Sequence, residues 1–217
     1  MLKALLFDMD GVLVDSTFAI WTSYSTLLKD ENVHFSEEYI KKNLARSLRD
    51  NLAAFKKEFH IKDYDLMDFS KKTGAIQLDM LKEEKVDINL IKLLEQAKKH
   101  NIKCAVATSS TRWRAENILD IIRIRKFFDV VVTAEDVTSH KPAPDVFLHA
   151  AKSINVKPEE CVVFEDARNG IEAAKAAGMK SIGKLTKYNS MDELERADLI
   201  INDFSELNLE KIRELFE

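Results

Sequence analysis

The residues best suited to chemistry in this sequence are two aspartates, Asp8 and Asp10, within the segment Asp8-Met9-Asp10-Gly11. A carboxylate can attack phosphorus to form an aspartyl-phosphate, and a second carboxylate nearby can protonate the leaving alcohol and later activate water. Such a division of labour requires two acids in different surroundings, which a DxD segment at a strand end supplies. The alternative is that both aspartates are solvated turn residues, because Asp is a favoured turn former and the motif is short.

The element that precedes the two aspartates favours the catalytic interpretation. The apolar run Ala4-Leu5-Leu6-Phe7 has the length of a buried strand and ends directly at Asp8. In an open α/β sheet, ligands bind in the crevice beyond the carboxyl ends of the strands. Gly11 has no Cβ, so the chain can turn sharply off the strand and a ligand can approach the backbone. The sequence therefore predicts that both carboxylates lie at a ligand-binding edge.

The rest of the chain predicts an α/β fold. From Ser16 to about Lys85 the pattern is helical, and after Val86 helices alternate with strands. This alternation is typical of a Rossmann-like parallel sheet with helices on both faces, because parallel strands need helical crossovers. The predicted strands after the first are Ile102–Ala107, Asp129–Thr133, Cys161–Phe164, Ser181–Ile182 and Leu199–Ile201. We expect a catalytic core of residues 1–14 and 86–217 and an inserted all-helical cap domain of residues 15–85.

One apolar stripe is the clearest feature of the predicted cap, and it predicts a single amphipathic helix. Its residues, which recur every three or four positions, are Leu44, Leu48, Leu52, Phe55 and Phe59. Arg46 and Arg49 project away from the stripe. Each is either part of a solvated charged face or a group that reaches down to a substrate.

Composition restricts the classes of partner. Hydrophobic residues make up 46% and charged residues 32%, the net charge is −4, and the sequence shows no basic tail or cluster. This composition argues against a nucleic-acid binder, and no apolar run approaches a membrane-spanning length. Nothing at the amino terminus reads as an export signal, so we expect a cytoplasmic protein. Cys104 and Cys161 lie in apolar strand-like runs and are expected to be buried thiols.

Further polar residues follow the later strands of the predicted sheet. Ser109 lies just after the second strand, Lys141 lies in a loop, and Glu165 and Asp166 end the strand Cys161–Phe164. A parallel sheet brings such ends together along one edge. Four carboxylates, counting Asp8 and Asp10, would repel one another without a cation, and hard oxygen ligands favour Mg²⁺, which shares its coordination sphere with substrate phosphate. Lys141 and Ser109 would then hold the phosphoryl oxygens.

The polar segments resemble the four motifs of the haloacid dehalogenase-like hydrolases. They are DMDGVLVDS, the strand ending at Ser109, HKPAPDVF around Lys141, and VFEDARNGIEAAKAAGM. The chain looks most similar to the subgroup of phosphoglycolate phosphatases and β-phosphoglucomutases, which insert a helical cap after the first motif. The resemblance implies that Asp8 is the nucleophile and Asp10 the general acid and base.

The same resemblance implies the ligand-binding residues. Ser109 and Lys141 would bind the phosphoryl group, and Ser110 and Arg49 are further candidates for substrate binding. Mg²⁺ would be held by Asp8, the carbonyl of Asp10, Asp166 and Glu165. These expectations are carried over from the family onto the matching positions of this sequence.

Two functions remain open. The leading one is a Mg²⁺-dependent phosphatase that hydrolyses a small-molecule phosphate ester, either a sugar phosphate or a phosphoglycolate-like acid. The alternative is a β-phosphoglucomutase-like phosphomutase, although such mutases have a His at the start of the cap where this chain has Ile20. A dehalogenase would have no use for Asp10, and a binding module would not need these acids together. We expect a monomer or weak dimer.

Overall fold

The computed structural model describes residues 1–43 and 46–217. In chain order its strands and helices, apart from short 3₁₀ turns, are β1 Ala4–Phe7, α1 Thr17–Leu27, α2 Glu37–Lys42, α3 Leu48–Phe59, α4 Leu66–Met80, α5 Ile88–Lys99, β2 Lys103–Ala107, α6 Arg112–Ile121, β3 Val130–Val132, α7 Asp145–Ser153, β4 Cys161–Glu165, α8 Arg168–Ala176, β5 Lys180–Lys184, α9 Met191–Leu194, β6 Leu199–Ile201 and α10 Leu209–Arg213. Within these ranges no helix is long and apolar enough to cross a membrane.

The six strands form one parallel sheet in the order β3-β2-β1-β4-β5-β6. The strand β1 lies at the centre, and Phe7 pairs with Val106 on one side and with Phe164 on the other. The carboxyl ends of β1, β2 and β4 are therefore level with one another. This arrangement confirms the predicted Rossmann-like sheet.

Side chains alternate between the two faces of the sheet, as the two-residue period of a strand requires. Leu5 and Phe7 join a hydrophobic core on the face covered by α5, α6 and α10. Ala4 and Leu6 join a second core on the face covered by α7 and α8. Because both faces are covered, the middle of each central strand is apolar, which explains the continuous apolar runs in the sequence.

The helices α1 to α4 form a separate cap with its own aromatic core. Trp21 and Tyr24 of α1 pack with Phe55 of α3 and Phe69 of α4, and all four side chains are buried. The described part of the segment between β1 and α5 contains only helices and irregular chain. The predicted helical cap is thus confirmed, while its boundaries at residues 14/15 and 85/86 stay a prediction.

The single helix predicted from the apolar stripe is wrong in its extent. The helix α2 ends at Lys42, and α3 begins only at Leu48, where Ser47 caps it by accepting a hydrogen bond from the amide of Asp50 at 3.1 Å. Leu44 lies outside the described residues. The hydroxyl of a serine can accept a hydrogen bond from a backbone amide, which favours serine at a helix N-cap. The spacing of apolar residues gives no information about such a cap.

The cap meets the core where α4 passes α6. Gly74 of α4 faces the indole of Trp113 on α6, and a Cβ at position 74 would lie 2.6 Å from Cζ3 of that ring. The missing side chain therefore permits close approach of the two elements. The indole is 48% exposed, so it has room to move away.

We predict that Gly74→Ala displaces Trp113 and shifts its fluorescence emission to longer wavelength, because the ring moves further into water. The free energy of unfolding should change by less than about 1 kcal/mol, since the better helix propensity of alanine offsets the lost contact. Emission spectra and urea denaturation measure the two effects. The variant Trp113→Phe is the control that identifies the emission of this ring, and an unchanged spectrum in Gly74→Ala would contradict the contact.

Candidate active site

A cavity of about 180 Å³ lies between the carboxyl edge of the sheet and the cap. From the core it is lined by the residues that follow β1, β2 and β4, and from the cap by residues of α1, α3 and α4. Asp8 and Asp10, Ser109 and Ser110, Lys141, and Glu165 and Asp166 all lie on its wall. The sheet thus brings together the polar groups that the sequence assigns to separate strand ends.

Lys141 is enclosed by three acceptors. Its ammonium donates to Oδ1 of Asp8, to Oε1 of Glu165 at 2.7 Å and to the carbonyl oxygen of Ala107 at 3.1 Å. The side chain is only 6% exposed. Burial works to lower the pKa of Lys141, but the carboxylates of Asp8 and Glu165 outweigh it and raise that pKa. Lys141 is therefore a fixed positive charge beside Asp8.

Glu165 is held on both carboxylate oxygens. Oε1 accepts from Lys141, and Oε2 accepts from the backbone amides of Asp166 and Ala167, both at 3.0 Å. The residue is 2% exposed. A Cβ at Gly170, the third residue of α8, would lie 1.9 Å from Cδ of Glu165, so only glycine leaves room for the carboxylate there. Glu165 has no oxygen left that is free of a partner.

Asp8 and Asp166 carry a surplus of negative charge. Burial raises the pKa of Asp8 to about 7, with the carboxylates of Glu165 and Asp10 adding to the rise against the effect of Lys141. Burial likewise raises the pKa of Asp166 well above its usual range, and the charges of Glu165, Asp8 and Asp10 act in the same direction. Buried carboxylates that repel one another are stabilised in their ionised form by a nearby cation, so this edge suits a bound positive ion.

The chemistry of the donor set fits Mg²⁺. Asp166 lies against Gly11, whose Cβ position would be 1.9 Å from Oδ2, so this carboxylate borders the loop that carries the carbonyl of Asp10. In the described ranges no three Asp, Glu, His or Cys side chains form a cluster that could hold a metal. Mg²⁺ commonly takes only one or two protein carboxylates and keeps several waters. A site with only the carboxylates of Asp8 and Asp166 therefore suits Mg²⁺, whose remaining ligands would be water and substrate oxygens.

Asp10 has surroundings of a different kind. Arg114 donates from Nη1 to Oδ2 at 2.8 Å and from Nη2 to Oδ1 at 2.7 Å, which makes a two-pronged ion pair. The hydroxyl of Ser110 donates to Oδ2 at 3.0 Å, and that of Ser16 donates to Oδ1. Burial works to raise the pKa of Asp10, but Arg114 and these hydroxyls outweigh it and lower that pKa. The two aspartates thus differ in environment, and the lowered pKa keeps Asp10 in its ionised form.

Sequence reasoning missed Arg114 and Thr108. Arg114 lies inside α6, and nothing in its local sequence marks it as a partner of Asp10, since Ser110 precedes the N-cap Thr111 of that helix. Thr108 directly follows β2, is 1% exposed and lines the cavity, whereas the neighbouring Ser109 is exposed. The strand β2 ends at Ala107, as predicted, so Thr108 is the first polar residue beyond it.

Arg49 is not where the substrate-binding prediction requires it. Among the described residues, Arg46 lines the cavity and the exposed Arg49 lies outside it. The reason is that α3 begins only at Leu48, so residues 46 and 47 belong to a loop rather than to a helix with a defined outer face. Ser110 is near the site, but its hydroxyl contacts Asp10 and Arg114.

Comparison with known proteins agrees with this geometry. Residues 5–184 match the family model described as haloacid dehalogenase-like hydrolase. The chain is 32% identical over 185 residues to the phosphorylated carbohydrates phosphatase of Thermotoga maritima, covering 83% of this chain and 84% of that protein. It is 29% identical over 223 residues to the beta-phosphoglucomutase of Bacillus subtilis, covering 100% of this chain and 96% of that protein.

A solved structure carries the comparison to the fold. The beta-phosphoglucomutase of Clostridium difficile superposes with a TM-score of 0.87 at 24% sequence identity, over 100% of this chain and 97% of that chain. The family match covers the central strand, the cap and every strand end that lines the cavity. This chain therefore belongs to the haloacid dehalogenase-like hydrolase family.

Proposed function

We propose that this protein is a Mg²⁺-dependent phosphatase that hydrolyses a small phosphorylated metabolite through an aspartyl-phosphate on Asp8. The observation that carries this proposal is the contrast between the two aspartates: Asp8 pairs with the buried Lys141, and Asp10 pairs with Arg114. Two carboxylates in different surroundings can take different tasks, and ionised Asp10 is the form that can act as a base toward water. The similarity to a phosphorylated carbohydrates phosphatase supports the same reaction class.

The first half-reaction transfers the phosphoryl group to the protein. A carboxylate oxygen of Asp8 forms a bond to phosphorus while the bond from phosphorus to the alcohol oxygen breaks, and Asp10 gives that oxygen its proton. The hydroxyl of Thr108 would donate to a phosphoryl oxygen, and the positive charge of Lys141 beside Asp8 would offset the negative charge of the phosphoryl group. Mg²⁺ bound by Asp8, Asp166 and the carbonyl of Asp10 would neutralise charge on the phosphoryl group.

The second half-reaction releases phosphate. Asp10 removes a proton from a water molecule, whose oxygen attacks phosphorus, and the carboxylate of Asp8 leaves. The cap helices α1, α3 and α4 cover the cavity and would limit the entry of water until this step. Each half-reaction uses Asp10 once, as an acid and then as a base.

Three of the residues predicted from the resemblance receive different roles here. Glu165 positions Lys141 rather than binding the metal, because both of its oxygens already accept hydrogen bonds. Thr108 takes the phosphoryl-binding role predicted for Ser109, since it is the buried hydroxyl at the end of β2. Arg46, at the cavity wall, is a better candidate than Arg49 for contact with substrate.

The cap wall favours a substrate that carries hydroxyl groups. Asn51 is 3% exposed and lines the cavity, and its Oδ1 has no hydrogen-bond partner among the described residues. A buried acceptor without a hydrogen-bond donor raises the free energy of the folded protein. A substrate hydroxyl that donates a hydrogen bond to Oδ1 of Asn51 would remove that cost. Sugar phosphates supply such donors, and this supports them over a phosphoglycolate-like acid.

The alternative is a phosphomutase, which the similarity to a beta-phosphoglucomutase keeps open. A mutase must protect its aspartyl-phosphate from water while an intermediate turns round. At the cap position where those mutases have a His, this chain has Ile20, which lines the cavity and can neither donate nor accept a hydrogen bond. This observation favours the phosphatase.

A screen of phosphorylated metabolites for phosphate release, with Mg²⁺ and with a chelator, tests the proposed function. We expect hydrolysis of several sugar phosphates that the chelator abolishes and added Mg²⁺ restores. Asp8→Asn should lower the rate by more than about 10³-fold because the amide is a poor nucleophile. The control is an unchanged circular dichroism spectrum, and a substantial residual rate in the folded variant would refute the assignment of Asp8.

Gly170→Ala should damage the site from outside the cavity. The new methyl group would overlap the carboxyl of Glu165, which is buried and cannot move away, so Lys141 loses its position. We expect a loss of about 1–3 kcal/mol in the free energy of unfolding and a lower kcat. Urea denaturation and steady-state kinetics measure both.

Gly74→Ala is the matched control for that variant. It makes the same substitution within a helix, but its neighbour is the movable ring of Trp113. If Gly170→Ala were as stable as Gly74→Ala, the close packing of Glu165 against α8 would be contradicted.

A single incubation separates the phosphatase from the mutase. The protein is supplied with β-glucose 1-phosphate and catalytic glucose 1,6-bisphosphate, and glucose 6-phosphate and free phosphate are followed together. Because Ile20 offers no hydrogen bond to control Asp10, we expect free phosphate and little glucose 6-phosphate. Rapid formation of glucose 6-phosphate with little free phosphate would favour the mutase instead.

A further inference from the structure

The proposed mechanism uses Asp10 but leaves the role of Arg114 open. The guanidinium contacts both oxygens of Asp10, and its Nη1 also donates to the hydroxyl of Ser110 at 2.6 Å. The Arg114 side chain is 11% exposed, so water screens the ion pair little. A two-pronged contact fixes the plane of a carboxylate, which a single contact cannot do.

The same guanidinium is tied to the cap. Its Nε donates to Oε1 of Gln77 on α4 at 2.6 Å, and the amide of Gln77 donates from Nε2 to the hydroxyl of Ser23 on α1 at 2.9 Å. The hydroxyl of Ser23 donates its own hydrogen bond to the carbonyl oxygen of Ile20 at 2.6 Å. A guanidinium can only donate, and the hydroxyl proton of Ser23 is already used, so Ser23 accepts from Gln77. Gln77 must therefore point its amide nitrogen at Ser23 and its oxygen at Arg114.

This connection crosses between the two parts of the protein. Arg114 belongs to a core helix, whereas Gln77 and Ser23 belong to cap helices, and Gln77 is 3% exposed. One turn away on α4, Gly74 receives the ring of Trp113. The contact between α4 and α6 therefore joins an apolar fit to a hydrogen-bonded chain that ends at Asp10.

We propose that Arg114 is a positioning residue for Asp10, and that Gln77 aligns it only while the cap lies on the core. The inference rests on the proposed function, because it assigns a task to the acid–base carboxylate. When the cap lifts, Arg114 loses the acceptor that orients its Nε, and the carboxylate loses its fixed plane. Phosphoryl transfer is sensitive to such alignment, and a displacement of about 1 Å can cost about 10²-fold in rate.

Arg114→Ala tests the positioning role through the split between kcat and KM. We expect kcat to fall by about 10²-fold while KM stays within about threefold, because the substrate still binds and only the acid–base group is misaligned. Added guanidinium ion should restore part of kcat in Arg114→Ala but not in Asp10→Asn. A large rise in KM with unchanged kcat, or no rescue by guanidinium, would overturn the proposal.

Gln77→Leu tests the connection to the cap, and Arg112→Ala is the matched control. Loss of one hydrogen bond to a charged group predicts a fall in kcat of about tenfold in Gln77→Leu. Arg112 lies on the same helix but pairs with Asp136 and is 43% exposed, so its removal should leave kcat unchanged. Equal kcat in Gln77→Leu and the wild type would overturn the role of the cap.

A measurement without turnover separates this inference from the proposed function. The carboxyl carbon resonance of Asp10 in ¹³C-labelled protein is identified by its absence in Asp10→Asn. It should shift in Arg114→Ala and Gln77→Leu and not in Arg112→Ala. A protein that hydrolyses no phosphate ester but shows these shifts would refute the function and keep the positioning, whereas unmoved resonances would refute the positioning.

Discussion

The buried ammonium of Lys141 holds the carboxyl edge of the sheet together. Burying an ammonium is costly unless each of its protons finds an acceptor, and here the three acceptors are Asp8, Glu165 and the carbonyl of Ala107. They come from the ends of β1, β4 and β2. Removing one partner of such a buried pair typically costs about 3–5 kcal/mol, because the other charge stays uncompensated. Lys141 thus fixes both the relative positions of the three strand ends and the position of Asp8.

The opposite pKa shifts of Asp8 and Asp10 follow from how the positive charges of Lys141 and Arg114 are distributed between the carboxylates. Lys141 is shared by Asp8 and Glu165, so Asp8 and Asp166 together lack positive charge, and burial raises their pKa values. Asp10 has Arg114 to itself and keeps a lowered pKa. The deficit at Asp8 and Asp166 is what makes a divalent cation fit there. Two carboxylates only two residues apart differ because one shares its cation and the other does not.

The sequence predicts the sheet, the cap and most of the polar cluster, because strand periodicity and polar strand ends are local signals. It does not predict the partners of those polar groups. Arg114 has the sequence pattern of an ordinary helix arginine, and only the packing of α6 brings it to Asp10. Likewise, the sequence does not show that Glu165 accepts hydrogen bonds from Lys141 and from two backbone amides. The end of β2 at Ala107 is predicted correctly, but the sequence does not show that Thr108 is buried at the cavity while Ser109 is exposed. The missed features are thus contacts between elements distant in sequence.

Two connections join the cap to the carboxylate of Asp10. The first is covalent: α1 begins at Thr17, and the residue before it, Ser16, donates its hydroxyl to Asp10 instead of capping the helix. The second is the hydrogen-bonded chain through Gln77 to Arg114. Both reach the same carboxylate, and each holds the Oδ1 oxygen of Asp10. A cap inserted directly after the central strand can therefore influence Asp10, the proposed acid–base group, whereas the side-chain partner that the described residues give to Asp8 belongs to the core.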